Sequence, residues 1–343
     1  VKSDLMNLTF TQLETELAGL NLPRFRAKQI FRWLWQKGAA DYSEMTDIAK
    51  PLQDKLSQHY CISSMKQKQR IGSAKQGVIK HLFEFADGER VESVWLRSAD
   101  RRTVCVSTQV GCSLGCEFCR TAEMGLVRNL TAGEIAGQVL KISKGQQERV
   151  TNVVFMGMGE PFDNYDASLD AARILNHDLG LNIGARKITI STVGIVPGIC
   201  KFTSEPEQFK LAVSLNAADQ QTREMLMPIA RKYPLNELIP AVRKLVEIKG
   251  KRVTFEYVML RNVNDARKDA DNLIALLAGI PCKVNLIPFN PYPGARFEPT
   301  SPGHVAGFRA WLMPHLPAIT VRKSLGSDIF AGCGQLLSTH PYP

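Results

Sequence analysis

The sequence predicts an α/β chain: a partial, open (β/α)6 barrel, preceded by a small N-terminal helical accessory domain and a β-hairpin connector. Three observations predict it. Stretches of strand character recur near residues 103–110, 151–156, 187–192, 210–216, 252–259 and 283–288, with a last one at 319–323. Amphipathic segments of helical period fall near 131–144, 166–178, 219–227, 235–248, 266–278 and 303–313. Strand–helix alternation over that length builds a parallel sheet with helices outside it. The most unusual polar residues, finally, cluster where strands end, the face on which such barrels keep their chemistry.

In chain order, residues 1–65 read as the helical domain. Thr11–Leu20 carries apolar side chains three and four apart and stops at Asn21-Leu22-Pro23. Ala27–Gln36 places Ile30, Phe31, Leu34 and Trp35 on one face, with Arg24, Arg26, Lys28, Arg32 and Lys37 around it. Aromatics at this spacing belong in a core, which leaves the basic side open to RNA. In residues 66–97 the pattern alternates: Gly77–Phe85 and Arg90–Arg97, joined by Asp87-Gly88, signal a hairpin. Glu92 lies on its second strand, where a carboxylate ordinarily faces solvent. Residues 98–326 carry the barrel, and the Pro- and Gly-rich stretch 288–302 reads as a long loop over its mouth. Residues 327–343 form a C-terminal loop, in which Cys333 between Gly332 and Gly334 marks a mobile segment rather than a core.

Composition narrows the class. The 343 residues are 44% hydrophobic and 22% charged, ordinary for a globular protein. The longest apolar runs are too short to span a bilayer and no leader segment opens the chain, so a cytoplasmic protein without membrane attachment is expected. A formal net charge of +10, from 43 Lys and Arg against 33 Asp and Glu, fits a polyanion such as nucleic acid. Arg97, Arg101, Arg102, Arg128 and Lys323 are the candidates to hold phosphates. Eight cysteines in a cytosolic chain point to metal or catalysis rather than disulfides.

Three of those cysteines carry the chemistry. Cys112, Cys116 and Cys119 form C-x3-C-x2-C, with Gly111 and Gly115 beside them and Phe118 inside. Three thiolates this close wrap one face of an iron–sulfur cube and leave one iron without a protein ligand. Zinc is the alternative, but it wants four ligands and no fourth Cys or His lies nearby. Cys105, on the first barrel strand, is poorly placed to close such a shell. Cys61, Cys200 and Cys282 read as packing cysteines, and Cys333 and Cys105 remain without a structural task.

At the strand ends, Met156-Gly157-Met158-Gly159-Glu160-Pro161 brings backbone close to a ligand and offers Glu160 to an ammonium group. Ser191-Thr192, Ser214-Leu215-Asn216 and Asn290-Pro291 supply hydroxyls and amides at matching positions.

With these residues assembled, the chain resembles the RlmN family of radical S-adenosylmethionine RNA methyl synthases over nearly its whole length. The likeness rests on Phe25-Arg26-Ala27-Lys28-Gln29-Ile30, Arg90-Val91-Glu92-Ser93-Val94, the three-cysteine motif and Gly157–Pro161. Asn285-Leu286-Ile287-Pro288 and Ala331-Gly332-Cys333-Gly334-Gln335-Leu336 complete it. The resemblance implies a radical S-adenosylmethionine barrel that methylates C2 of adenine 2503 in 23S rRNA and adenine 37 in tRNAs. It implies one [4Fe–4S] cluster on Cys112, Cys116 and Cys119. Two S-adenosylmethionine molecules per turnover would bind at Gly159, Glu160, Ser191, Ser214, Leu215, Asn216 and Asn290. Cys333 becomes the methyl carrier, Cys105 the thiol that resolves a covalent enzyme–RNA intermediate by forming a disulfide, and Glu92 the acid/base residue. A flavodoxin with its reductase as electron donor and a monomeric state are expected too. Three departures stand out: Asn216 replaces a histidine, Arg120-Thr121-Ala122-Glu123 replaces a more neutral stretch, and the chain ends at Pro343 without a basic tail. A Cfr-type enzyme, methylating C8 of the same adenine with the same parts, is the alternative.

Overall fold

The computed structural model describes residues 2–73 and 77–338; the expected C-terminal loop thus runs, over residues 339–343, outside the described residues. Two short strands, β1 (Ser3–Asp4) and β2 (Tyr60–Cys61), pair in parallel and bracket three helices, α1 (Phe10–Gly19), α2 (Arg24–Arg32) and α3 (Lys50–His59). α1 starts in a capping box: the Gln12 N–H donates to the Thr9 hydroxyl and the Thr9 N–H to the Gln12 side chain. α2 runs into a π turn over Trp33–Lys37, closed by Gly38 at φ 63°. Ile30, Phe31, Leu34 and Trp35 are fully buried, as their spacing predicts, and Arg24, Lys28, Arg32 and Lys37 are exposed. The helices do not keep a private core. Phe10 and Phe31 lie 4.5 and 5.0 Å, centroid to centroid, from His177 of the barrel layer. Gly133 also approaches Met6 so closely that a Cβ there would lie 2.8 Å from its carbonyl carbon.

The expected hairpin is β4 (Val78–Glu84) and β5 (Arg90–Ser98), turning at Gly88 with φ 87°. It is flanked by β3 (Lys66–Ser73) and β6 (Arg101–Cys105), all antiparallel. β7 (Gln109–Gly111) and β8 (Leu126–Asn129) make a separate two-stranded ribbon. Then α4 (Ala132–Gln146), β9 (Asn152–Phe155), α5 (Tyr165–Asn176), β10 (Ile188–Thr192), α6 (Val196–Ser204) and β11 (Lys210–Ser214) alternate. They are followed by α7 (Gln220–Leu226), α8 (Leu235–Lys249), β12 (Val253–Met259), α9 (Arg267–Leu277), β13 (Cys282–Pro288), α10 (Pro302–Leu312) and β14 (Ile319–Val321). β6 and β9 to β14 run parallel, and the sheet order is β14-β13-β12-β11-β10-β9-β6-β5-β4-β3. The hairpin connector is therefore continuous with an open barrel sheet.

Two expectations change. The stretch 103–110 is two strands, broken where Ser107 and Thr108 turn to the neighbouring loop: the Ser107 hydroxyl donates to the Glu92 carbonyl at 2.6 Å and accepts the Met158 N–H at 2.9 Å. α6 was not among the expected helices. Proline is tolerated in the first helical turn, and Gly198 presses on Phe162, where a Cβ would come within 2.7 Å of the ring.

Candidate active site

The cysteine loop joins β7 to β8. Gly111 has φ 75°, and a Cβ there would meet the Gly125 carbonyl oxygen at 1.8 Å. Only glycine lets the loop close on itself, with the Cys112 N–H donating to that carbonyl at 2.7 Å. The Cys119 N–H donates to the Cys116 carbonyl at 3.0 Å, and the Glu117 N–H to Leu226, which ties the loop to α7. Burial pushes the Cys112 thiol up to about 12 and raises Cys116 and Cys119 as well. Such thiols ionise only with positive charge set between them, which is what iron ions provide. Among the described residues no three donors converge on a single metal ion. Three thiols on one short loop would each hold a different iron of a cluster.

A cavity of about 160 Å³ brings the three cysteines together with Gly159, Glu160, Ser191, Ser214, Asn216, Asn290 and Cys333. Leu215 is not among its lining residues: its side chain is fully buried, and its carbonyl accepts from Arg223 Nε at 3.3 Å. Glu160 is held from three sides. Its carboxylate accepts the Val193 N–H at 2.9 Å and the Phe162 N–H at 3.0 Å, and its own N–H donates to Gln109 at 2.8 Å. Burial pushes its pKa up to about 7 against those donors. Asn216 takes a left-handed backbone, φ 59°, that asparagine tolerates, and its Oδ1 accepts the Val258 N–H at 2.9 Å.

The C-terminal segment, expected to be loose, is fastened over its described residues around Cys333. Asn290 Nδ2 donates to the Cys333 carbonyl at 3.0 Å, and the Arg120 N–H to Gly334 at 2.7 Å. Gln335, almost wholly buried, accepts the Gly332 N–H and donates to the Pro291 carbonyl at 2.7 Å. Thr121 donates to Leu336 at 2.7 Å. Arg120 and Thr121, set down in sequence as a departure, thus serve as anchors for this segment.

Glu92 does not face solvent. It is fully buried, with Oε1 2.9 Å from Lys80 Nζ and Oε2 accepting the Leu337 N–H at 2.9 Å. Burial raises its pKa while Lys80 opposes the rise. Cys105 is buried as well, and burial, then the nearby Cys333, pushes its thiol up to about 12, with Arg322 opposing. The guanidinium of Arg322 feels Cys333 most, with Glu256 and Cys105 adding to it. Sequence reasoning missed Lys80, Glu256 and Arg322; for the first two, their inward register on β4 and β12 was the available signal, and Arg322 follows directly on β14. All eight cysteines are free thiols, and Cys61 and Cys200 are exposed, so of the three expected to pack only Cys282 does.

A second cavity, of about 560 Å³, lies below the first. Met156, Glu256, Ile287, Asn290, Arg322 and Cys333 line both. Of the expected phosphate contacts, Arg128 is tied to Glu134 at 2.9 Å and to Asp87 at 2.5 Å. Arg97, Arg101 and Lys323 line the second cavity, away from the cysteine loop. Among the described residues no helix is long and apolar enough to cross a membrane.

Residues 106–274 match the profile of the Radical SAM superfamily, and residues 3–62 match the ribosomal RNA large subunit methyltransferase N-terminal domain. A "Dual-specificity RNA methyltransferase RlmN" of Anaeromyxobacter dehalogenans is 46% identical, covering 97% of this chain and 91% of that protein. One from Geotalea uraniireducens is 42% identical, covering 98% and 96%. The crystal structure of a radical SAM methyltransferase from Sphaerobacter thermophilus superposes with a TM-score of 0.92 at 45% identity, covering 98% of this chain and all of that one.

Proposed function

The chain belongs to the RlmN family of dual-specificity RNA methyltransferases within the radical SAM superfamily, and we propose that it methylates C2 of adenine 2503 in 23S rRNA and of adenine 37 in tRNAs. In this reading Cys112, Cys116 and Cys119 hold a [4Fe–4S] cluster, and Gly159, Glu160, Ser191, Ser214, Asn216 and Asn290 hold S-adenosylmethionine. Leu215 contributes backbone alone. When bound, these groups supply Cys333 with a methyl and then a radical able to take a hydrogen from it. The observation that carries the proposal is the placing of Cys333 in the lining of both cavities. A carbon on its sulfur is then reachable from the cysteine side and from the side where a base would stand.

The chain's own groups do the rest. Asn290 and Gln335 hold the backbone on either side of Cys333, so that the sulfur keeps its place while it carries the carbon. An adduct through that carbon joins enzyme to RNA, and its release needs the C2 proton removed. Glu92 serves as the proton acceptor once the segment that donates Leu337 N–H has moved. Cys105, as the thiolate, attacks the Cys333 sulfur, the sulfur–carbon bond breaks with its electron pair left on the carbon, that carbon takes up a proton to become the methyl, and the disulfide formed is reduced by an external thiol before the next turnover. A thiol pushed up to about 12 attacks slowly until deprotonated, and Arg322 stands beside both sulfurs to favour the thiolate. The protein acts as a monomer in the cytoplasm and draws electrons from a flavodoxin-type donor. The test is mass spectrometry of the modified adenine after anaerobic reaction with 23S rRNA: a methyl at C2 is expected, and one at C8 would replace this reading with the Cfr-type reaction.

A further inference from the structure

Arg223, on α7, is the one arginine among the described residues that the fold hides completely. Among the described residues no carboxylate forms an ion pair with it, whereas Arg128 and Arg173 are each matched by two or three. Its guanidinium donates only to main-chain carbonyls: Nε to Leu215 at 3.3 Å, Nη1 to Tyr233 at 3.3 Å and Nη2 to Val193 at 2.6 Å. Carbonyls satisfy its N–H groups but not its charge, and a buried charge without a counterion is costly. A guanidinium keeps its proton in a protein, so the charge stays. What lies beside it is the cysteine loop. The Leu226 carbonyl, at the end of α7, accepts the Glu117 N–H at 3.0 Å, and the Met227 N–H returns to the Arg223 carbonyl at 2.8 Å. Cys116, Phe118 and Val193 pack on the apolar cluster that Leu226 and Met227 help to form. A Cβ on Gly115 would touch Pro228, the next residue, at 3.7 Å. Arg223 thus stands one helical turn from the contacts that seat Cys116. Burial lowers the Arg223 pKa and Cys116 opposes that, while Arg223 opposes the rise of the Cys116 thiol. Glu160 acts on the same sulfur with the opposite sign.

We propose that Arg223 is a fixed countercharge for the iron–sulfur cluster on Cys116, and that it sets how readily that cluster takes an electron. The inference rests on the reading of Cys112, Cys116 and Cys119 as cluster ligands. A cluster on three thiolates is already an anion, and reduction adds negative charge where solvent screens it poorly. A cation held beside it favours the reduced state, which raises the reduction potential towards the reach of a flavodoxin-type donor. The same guanidinium also fastens two strand ends. The Val193 peptide that accepts from Nη2 donates its N–H to Glu160 Oε2 at 2.9 Å, and Leu215 stands between Ser214 and Asn216. Charge and framework are separable parts of this side chain.

Arg223→Gln removes the charge and keeps an amide donor, whereas Arg223→Lys keeps the charge and loses the planar fork that reaches three carbonyls. Both proteins and wild type, prepared anaerobically and matched in iron and sulfide content, are titrated with a low-potential reductant. The reduced cluster is followed by electron paramagnetic resonance. Even at about 12 Å and an effective dielectric constant of about 20, one charge is worth about tenfold in the ratio of reduced to oxidised cluster. For one electron that is about 59 mV, so the Gln protein should need a potential lower by about that much to reach the wild-type ratio. The Lys protein should keep the wild-type potential while its melting temperature falls, because carbonyls lose their donors. A Gln protein with the wild-type potential overturns the countercharge, as does a Lys protein whose potential falls with its stability. Should the Gln protein hold no iron, the Lys protein decides alone. Loss of iron from both overturns the proposal too, since it leaves Arg223 a purely structural part. Wild-type protein that takes up no iron–sulfur cluster overturns the reading of the three cysteines itself.

Discussion

Replacing Lys80 by methionine tests how the Cys333 segment is held. Lys80 pairs in register with Val94, two residues from Glu92, so the two charges stand diagonally on one face of the β4–β5 pair. Their side chains are 5% and 0% exposed and 2.9 Å apart. Each also grips the C-terminal segment: Lys80 Nζ donates to the Phe330 carbonyl at 3.4 Å, and Glu92 Oε2 accepts the Leu337 N–H at 2.9 Å. The pair is a two-point fastening that straddles Cys333. Methionine keeps most of the stem and removes the charge. Taking one partner from a buried pair costs about 3–5 kcal/mol, because the other is left without compensation. Burial already raises the Glu92 pKa and Lys80 opposes that rise, so the variant's carboxyl moves higher still. Between the ordinary carboxylate range and that raised value, the folded protein holds a proton which the unfolded chain releases. Stability therefore falls as pH rises through the window, by up to about 1.4 kcal/mol per pH unit, and the cost is smallest in acid. Urea unfolding of anaerobically prepared protein, from mildly acidic to mildly alkaline buffer, should show a lowered midpoint and a gap that widens with pH. Hydrogen exchange over residues 331–338 should speed up with it. The Lys80→Met/Glu92→Leu double variant should recover most of the loss, since two apolar side chains replace the pair at little cost. A single variant within about 0.5 kcal/mol of wild type at the alkaline end, where about 3–5 is expected, would refute this account, as would a double variant no more stable than the single one.

Three further outcomes are expected. Cys105→Ala protein should accumulate covalently joined to RNA on denaturing gels; clean multiple turnover would remove its resolving role. His81 is buried on Phe83, and burial, helped by Arg70, lowers its pKa to about 4. The unfolded chain takes up that proton first, so stability should be lost as pH falls from about 6.5 towards 4, up to about 3 kcal/mol in all, and urea titrations of His81→Gln protein should be flatter there. Asn216→Ala should lose about 1–3 kcal/mol for the unpaired Val258 N–H. Asn216→Gly, which makes the same loss but sheds the cost of about 1–2 kcal/mol of a Cβ in a left-handed backbone, should lose less, and equal urea midpoints for the two would show that the backbone costs nothing.

Features written into short stretches of chain were legible from the sequence. The spacing of Cys112, Cys116 and Cys119, the buried stripe of α2 and the strand–helix alternation each depend on residues a few positions apart, and each stands where it was expected. The α6 helix was missed for a related reason: Pro197 and Gly198 signal a turn locally, and only Phe162, packed on Gly198, explains a glycine in that helix. Glu92, expected to face solvent, is buried, because burial is not local. A carboxylate on a hairpin faces solvent unless a cation on the next strand and an amide from far along the chain arrive to meet it.

The sequence by itself determined the family, the motif that suits an iron–sulfur cube and the sulfur set apart between two glycines. Only the tertiary structure decided that Lys80 reaches a carbonyl 250 residues away and that Cys333 lines two cavities at once. The reason is physical. Periodicity is set by bond geometry and repeats along the chain, whereas the meeting of distant side chains is set by strand order and register, which many weak contacts choose together.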